Sequence, residues 1–181
     1  MRLLIVGLWR VLYDIFILRL ARAITGEPRH DDFSEVDMLA DAEMRKLLAE
    51  IKSIAIIGAK DKPGQPVDNV GAYLINAGYE VIPVHPVRRG VWGLETYANI
   101  RDIPHTPDAV VLFRASEHCA EHARETLELK PLPRVFWMQE GIECPESSRL
   151  LGQVGVTVLQ NVCIKKEHER LLAGRPLLAG L

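Results

Sequence analysis

The chain reads as a Rossmann-like, doubly wound α/β domain: a mostly parallel sheet of about five to six strands with helices on both faces. Three observations carry that reading. Short apolar runs rich in Ile and Val recur from residue 54 onward, as strands buried on both faces do. Stretches with helical spacing alternate with them, one closed by Gly78 and another stopped by Pro131. The first apolar run, Ile54-Ala55-Ile56-Ile57, ends abruptly in Gly58-Ala59-Lys60-Asp61-Lys62-Pro63-Gly64, as a buried strand does when it delivers a ligand-binding turn.

Taken in order, residues 1–24 are the compositional outlier. They are dominated by Leu, Ile, Val and aromatics, yet Arg2, Arg10, Asp14, Arg19 and Arg22 keep every uncharged run short of the ~20 residues of a membrane span. Arg10 also ends the first apolar run at the minimum length for a signal peptide, which argues against secretion. At about 100° per residue, Ile5, Trp9, Leu12, Tyr13, Phe16 and Leu20 share one face of a weakly amphipathic helix. Three readings stay open for it: a helix packed on the domain or a partner subunit, an anchor contacting a membrane surface, or residues foreign to the native protein. Residues 26–32 are polar and turn-forming, a linker. Ser34 and Asp37 then resemble a capping signal for a helix carrying Met38, Leu39, Met44, Leu47, Leu48 and Ile51. The expected division is therefore a hydrophobic helix and linker over 1–34 and a Rossmann-like domain over 35–181.

Within that domain the pattern predicts strands at 54–57, 80–84, 109–113, 134–138 and 156–159, and helices at 67–77, 117–129 and 145–154. A brief extended piece at Val91-Trp92 and a short helix over 97–101 fill the longest connection. Right-handed crossovers bring the C-terminal ends of all strands to one edge, so Gly58, His85, Arg114 and Gln139 are expected to converge on one crevice.

Composition narrows the ligand. With 22 Lys and Arg against 24 Asp and Glu, the chain lacks the basic excess of a nucleic-acid binder. Cys119, Cys144 and Cys163 are odd in number and not closely paired, which argues against a disulfide framework or a zinc ribbon and for a reducing, cytoplasmic setting. No internal repeat is present, so solenoid architectures are excluded.

The turn after the first strand has neither the G-x-G-x-x-G fingerprint of dinucleotide sites nor the Gly-Lys-Ser/Thr ending of a P-loop. After the second strand stands His85-Pro86-Val87-Arg88-Arg89, where an NAD site carries an acid for the ribose hydroxyls; a basic pair suits a phosphate instead. Lys60, Lys62 and the start of the helix near Pro66 are candidates for further phosphates, against the plainer reading of a solvated loop.

Catalytic patterns are thin, and no catalytic or metal-binding residue is assigned. His118 and His122 sit one helical turn apart, but Cys119 stands where a zinc peptidase needs Glu. Ser116 suits a helix N-cap better than a nucleophile, and no G-x-S-x-G elbow exists. Cys163 lies just past the last strand beside Lys165 and Lys166, cations that favour a reactive thiolate; a buried structural role competes. Trp92 and Trp137 read as core or crevice-wall residues.

Five segments then occur in order: Ile56-Ile57-Gly58-Ala59, Gly78-Tyr79-Glu80-Val81-Ile82-Pro83-Val84-His85-Pro86, Val111-Leu112-Phe113-Arg114, Trp137-Met138-Gln139-Glu140-Gly141-Ile142 and Asn161-Val162-Cys163-Ile164-Lys165. Together they resemble the signatures of the small stand-alone CoA-binding domain family, which is similar to the N-terminal half of the succinyl-CoA synthetase alpha subunit. The resemblance covers about residues 51–172, the expected core of the domain. It implies CoA or acyl-CoA as ligand, with Gly58, Ala59 and Lys60 against the pyrophosphate or pantetheine and His85 and Pro86 beside the adenosine. Phe113 and Arg114 would line the cleft, and Gln139 and Gly141 would close its floor. Lys62 and Arg88 complete the expected binding set. Family members commonly carry Ser at the position of Lys60, Asn or Ser at that of His85, and an Arg-Pro-Ser type sequence at Gln65-Pro66-Val67.

The expected function is non-catalytic binding of a CoA thioester, since little chain follows the last strand for a ligase half. Two other classes compete. One is an enzyme, either a partner subunit of an acyl-CoA ligase or a redox protein exchanging Cys163 with the CoA thiol. The other is a Rossmann-like scaffold for another nucleotide or none, assembling as a homo-oligomer or with a partner.

Overall fold

A computed structural model describes residues 40–172. The expected N-terminal helix and linker and the Ser34/Asp37 capping signal lie outside the described residues. The elements run α1 (Asp41–Glu50), β1 (Ser53–Ile57), α2 (Pro66–Asn76), β2 (Glu80–Val84), β3 (Ala109–Leu112), α3 (Ser116–Leu127), β4 (Val135–Met138), α4 (Pro145–Gly152), β5 (Thr157–Leu159) and α5 (Ile164–Leu172). The sheet has five strands in the order β2-β1-β3-β4-β5, every neighbouring pair parallel. It is the doubly wound Rossmann-like α/β architecture that the alternating pattern predicts.

The strands read as continuous apolar runs because both faces are covered, and their period of two sorts side chains into two cores. Ile54, Ile56, Val111 and Trp137 pack with Met44 and Leu48 of α1, Val67, Val70 and Leu74 of α2, and Ile164 and Leu171 of α5. Ala55, Ile57, Val110, Leu112, Phe136 and Met138 pack on the other side with Cys119 and Ala123 of α3 and Leu151 of α4. Phe136 and Trp137, adjacent in β4 and both fully buried, anchor one core each; truncating such a ring to Ala costs about 3–5 kcal/mol. Pro83 is tolerated within β2 because β2 is an edge strand.

Two short segments differ from expectation. Val91–Gly93 is a single 3₁₀ turn and not an extended piece, with Trp92 at φ 55°. Its indole lies against α2, where a Cβ added to Gly71 would stand 2.2 Å from Cζ2. The indole Nε1 donates to Asp68 Oδ1 at 2.9 Å. Contacts to a helix some twenty residues upstream thus override the local preference of a β-branched and an aromatic residue. Ile100–Asp102 is likewise one 3₁₀ turn, capped by Asn99. Helix α5 is not among the elements that the sequence pattern predicts. Among the described residues no helix is long and apolar enough to cross a membrane.

Candidate functional site

The strand order reverses direction between β1 and β3, and a crevice opens outside their C-terminal ends. The exits of β1 and β3 are held together by the backbone, Phe113 N–H donating to Ile57 O at 2.9 Å. On the other side of β1, Gly58 N–H and Ala59 N–H both donate to Val84 O at the end of β2, at 2.9 and 3.3 Å. Gly58 adopts φ +85°, and a Cβ there would sit 2.4 Å from Phe113 O. Only a residue without a side chain lets β1 turn away this close to β3.

From this point a cleft of about 500 Å³ spreads across the sheet edge, within the size range of small-molecule sites. Gly58 and Lys60 contribute from β1, and Gln65, Pro66, Val67 and Val70 from the start of α2. Phe113 and Arg114 follow β3; Gln139, Glu140 and Ile142 follow β4; and Cys163 completes the wall. Helix α2 starts without a side-chain cap, and Gln65, Pro66 and Val67 at its partly positive end line the cleft. Gln139 is only 3% exposed, yet its Nε2 has no hydrogen-bond partner among the described residues; the buried Arg114 Nε is in the same state. Buried donors of this kind are costly unless a ligand satisfies them.

Positive charge gathers around the crevice. Burial first, then Arg88, Lys60 and Arg114, holds the His85 imidazole below its ordinary value of 6.5. His85 Nδ1 accepts the N–H groups of Val87 and Arg88 at 3.2 and 3.1 Å, which leaves Nε2 to carry the proton of the neutral ring. Arg88 reaches Asp61 Oδ1 at 3.4 Å and so links the turn after β2 to the turn after β1. A smaller cavity of about 200 Å³ lies on the α3 side of Gly58 and Arg114, lined also by Pro86, Asn99, His122 and Glu125.

Of the residues expected at the site, Gly58, Lys60, Phe113, Arg114 and Gln139 line the larger cleft together. Ala59 is fully buried behind it. Pro86 lines the smaller cavity. His85 and Arg88 stand at the β2 exit and line neither cavity, although their charges act on the same region. Lys62 and Gly141 are exposed and line neither; the Gly141 N–H is taken by Asn161 Oδ1 at 2.7 Å, so this glycine shapes the turn after β4.

Val70 is a cleft residue that sequence reasoning did not place there, while Ile142 and Cys163, which stand in segments that carry the family resemblance, line the cleft without belonging to the expected binding set. Val70 was marked only by its position one helical turn beyond Pro66. Cys163 arrives because the chain after β5 crosses back over β4: Trp137 Nε1 donates to Val162 O at 2.7 Å, and Val162 N–H to Met138 O at 3.4 Å.

Several other expectations are adjusted by the geometry. Ala115, not Ser116, takes the N-cap position of α3, and Ser116 Oγ accepts from Glu143 N–H at 3.3 Å instead. The cations beside Cys163 are engaged elsewhere: Lys165 lies over the Tyr73 ring, 5.4 Å from its centroid, and Lys166 pairs with Glu140 at 2.6 Å. His118 is exposed, His122 Nδ1 pairs with Glu125 at 2.7 Å, and no metal-binding cluster occurs among the described residues. Trp137 is core and Trp92 packs on α2, while all three cysteines are free.

Fold and cleft together define a small Rossmann-like domain with a ligand-sized site at the switch point of its sheet. The chain belongs to the CoA binding domain family, whose match spans residues 52–169. It is 35% identical over 127 residues to the uncharacterized protein YneT of Bacillus subtilis (strain 168), covering 70% of this chain and 93% of that protein. Among solved structures it is similar to a hypothetical protein from Pyrococcus horikoshii OT3, with a TM-score of 0.72, 32% identity, and coverage of 81% of this chain and 98% of the other. A Thermus thermophilus structure matches with a TM-score of 0.70 and 34% identity, over 74% of this chain and 100% of that one.

Proposed function

We propose that this protein binds CoA or an acyl-CoA thioester in the larger cleft and performs no chemistry on the acyl group. The observation that carries the reading is the pair of buried donors, Gln139 Nε2 and Arg114 Nε, in a cleft that also holds Lys60 and the start of α2. CoA has the complementary parts. Its phosphates are anions for Lys60, Arg114 and the helix terminus. Its pantetheine arm is long and mostly neutral, with amide carbonyls that accept from a buried amide such as Gln139 and methylenes that suit Phe113, Val70 and Ile142.

The dimension across the site fits an elongated ligand. Lys60 follows β1 and Cys163 lies beyond the end of β4, two strands away in the sheet, a separation of ~10 Å at the usual strand spacing. A reducing, cytoplasmic setting belongs to the same reading, supported by three free thiols.

Calorimetric titration of the full chain with CoA, acetyl-CoA, NADP and ATP tests it. Saturable heat with CoA and acetyl-CoA, weaker or absent with NADP and ATP, is the expected result. Heat with NADP or ATP alone would assign the site to another nucleotide, and heat with none would refute the reading. Acetyl-CoA recovered unchanged after long incubation is the expectation for a binder without chemistry.

A further inference from the structure

The cleft holds a nucleophile that simple binding leaves without a task. Cys163 lines the same wall as Gln139 and Ile142 and is only partly buried, so its thiol is reachable from the ligand side. Its carbonyl accepts the Glu167 N–H at 3.1 Å, the first bond of α5, which puts Cys163 at the cap of a nine-residue helix. The Nε2 of Gln139, a residue only 3% exposed, has no hydrogen-bond partner among the described residues and independently marks this wall as a ligand contact.

We propose that Cys163 is a thiol-exchange site that forms a mixed disulfide with the thiol end of a CoA-type ligand, the oxidant being a disulfide of that ligand. The proposal rests on the CoA reading of the cleft. In the step, the Cys163 thiol gives up its proton and its sulfur attacks the ligand-side sulfur of a disulfide RS–SCoA. The S–S bond of that disulfide breaks, a new bond joins Cys163 to the CoA sulfur, and RS⁻ leaves and takes up a proton. One disulfide replaces another, so no further electron acceptor is needed.

The other two thiols are placed differently. Cys119 is fully buried on the α3 side, and burial pushes its thiol up to about 11. Cys144 is half-buried at the start of α4 and lines neither cavity at the sheet edge. They serve as internal controls.

The full chain is incubated with CoA disulfide or with glutathione disulfide and followed by intact mass and peptide mapping, beside calorimetry with reduced CoA. The expected result is a single CoA adduct on the peptide containing Cys163, released by reductant and formed at least tenfold faster than the glutathione adduct. Acetyl-CoA, which fills the cleft but cannot exchange, is expected to slow it at least tenfold. Cys163→Ser is expected to abolish the adduct, whereas Cys144→Ser, outside both cavities, is expected to keep both the adduct and the heat of CoA binding. Heat with CoA but no adduct would overturn the exchange site and leave the binding reading intact. Equal labelling of Cys144, or equal rates with the two disulfides, would also overturn it. Neither heat nor adduct would remove both.

Discussion

Gly58 is the most constrained residue of the site, because two independent restrictions meet on it. Its φ of +85° disfavours any side chain, and an added Cβ would press on a backbone oxygen at 2.4 Å, a neighbour that cannot swing aside as a side chain can. Gly58→Ala is therefore expected to cost about 2–3 kcal/mol of folding stability and to weaken CoA binding by separating the β1 and β3 exits. Urea unfolding and calorimetry on the same preparation check the two effects. Gln139 gives a contrasting expectation, in which stability and affinity move in opposite directions. Its Nε2 is buried without a partner, so Gln139→Leu removes an unmet desolvation cost and is expected to leave stability unchanged or slightly raised. Affinity for CoA is expected to fall by about 1–2 kcal/mol, roughly a factor of ten, through loss of a buried donor to the ligand. A Gln139→Leu variant that binds CoA as well as the parent would refute the placement of the ligand over this residue. Gly58, Arg114 and Gln139 are legible in the sequence because each stands within two residues of a strand's end, where parallel topology brings positions together, whereas Lys60 is marked by its charge and Phe113 by the family resemblance. Val70 and Cys163 are not legible in that way, since one reaches the cleft through helix rotation and the other through a crossing of the chain over β4.

Helix α5 shows what periodicity conceals when charge is abundant. Of its nine residues, Ile164, His168, Leu171 and Leu172 are buried, at spacings of four, three and one that mark a helix face. Lys165, Lys166, Glu167, Glu169 and Arg170 between them give the segment the look of a polar tail. The helix docks through one buried polar residue: His168 is 5% exposed, its Nδ1 lies 2.8 Å from the Tyr73 hydroxyl, and the Tyr73 and Tyr79 rings meet it edge-on. Burial, opposed by Glu169, holds this imidazole below its ordinary 6.5. Because the folded value is the lower one, the unfolded chain takes up the proton first as pH falls. The stability that neutral His168 supports is thus fully present above 6.5 and is lost as pH drops through the folded value. The urea midpoint is expected to decline from neutral pH toward about pH 5. His168→Gln, which retains an acceptor but does not titrate, is expected to shallow that decline. A residual slope should remain, because His85 is shifted in the same direction. An unchanged slope in the variant would show that His168 is not the group responsible. Trp92 fails to read as a 3₁₀ turn for a related reason: its conformation is set by the absence of a Cβ on Gly71, a partner 21 residues earlier in the chain.

The molecule as a whole couples its ligand site to its stability through the sheet edge. Residues from the ends of β1, β3 and β4, from the start of α2 and from the cap of α5 all border one cleft, so a ligand seated there ties together segments that otherwise meet only through the core. The approximate number of strands and their parallel sense follow from the sequence because alternating elements with right-handed crossovers leave few arrangements. The ligand does not follow in the same way, because the fold supplies the crevice and only its lining chooses the occupant. Occupancy should nevertheless be visible in global unfolding. A ligand that binds only the folded state contributes about 2.7 kcal/mol at a free concentration one hundred times its Kd, and for a chain of this size each kcal/mol raises Tm by roughly 2–4 °C. CoA at that excess is therefore expected to lift Tm by roughly 5–10 °C, with acetyl-CoA giving a similar shift and NADP little. Cys144→Ser, outside both cavities, should keep the full CoA shift, whereas Gly58→Ala should lose most of it. Differential scanning calorimetry over a range of CoA concentrations distinguishes the cases: a Tm that climbs with the logarithm of concentration reports a specific site, and one that stays flat means that CoA is not the ligand of this cleft.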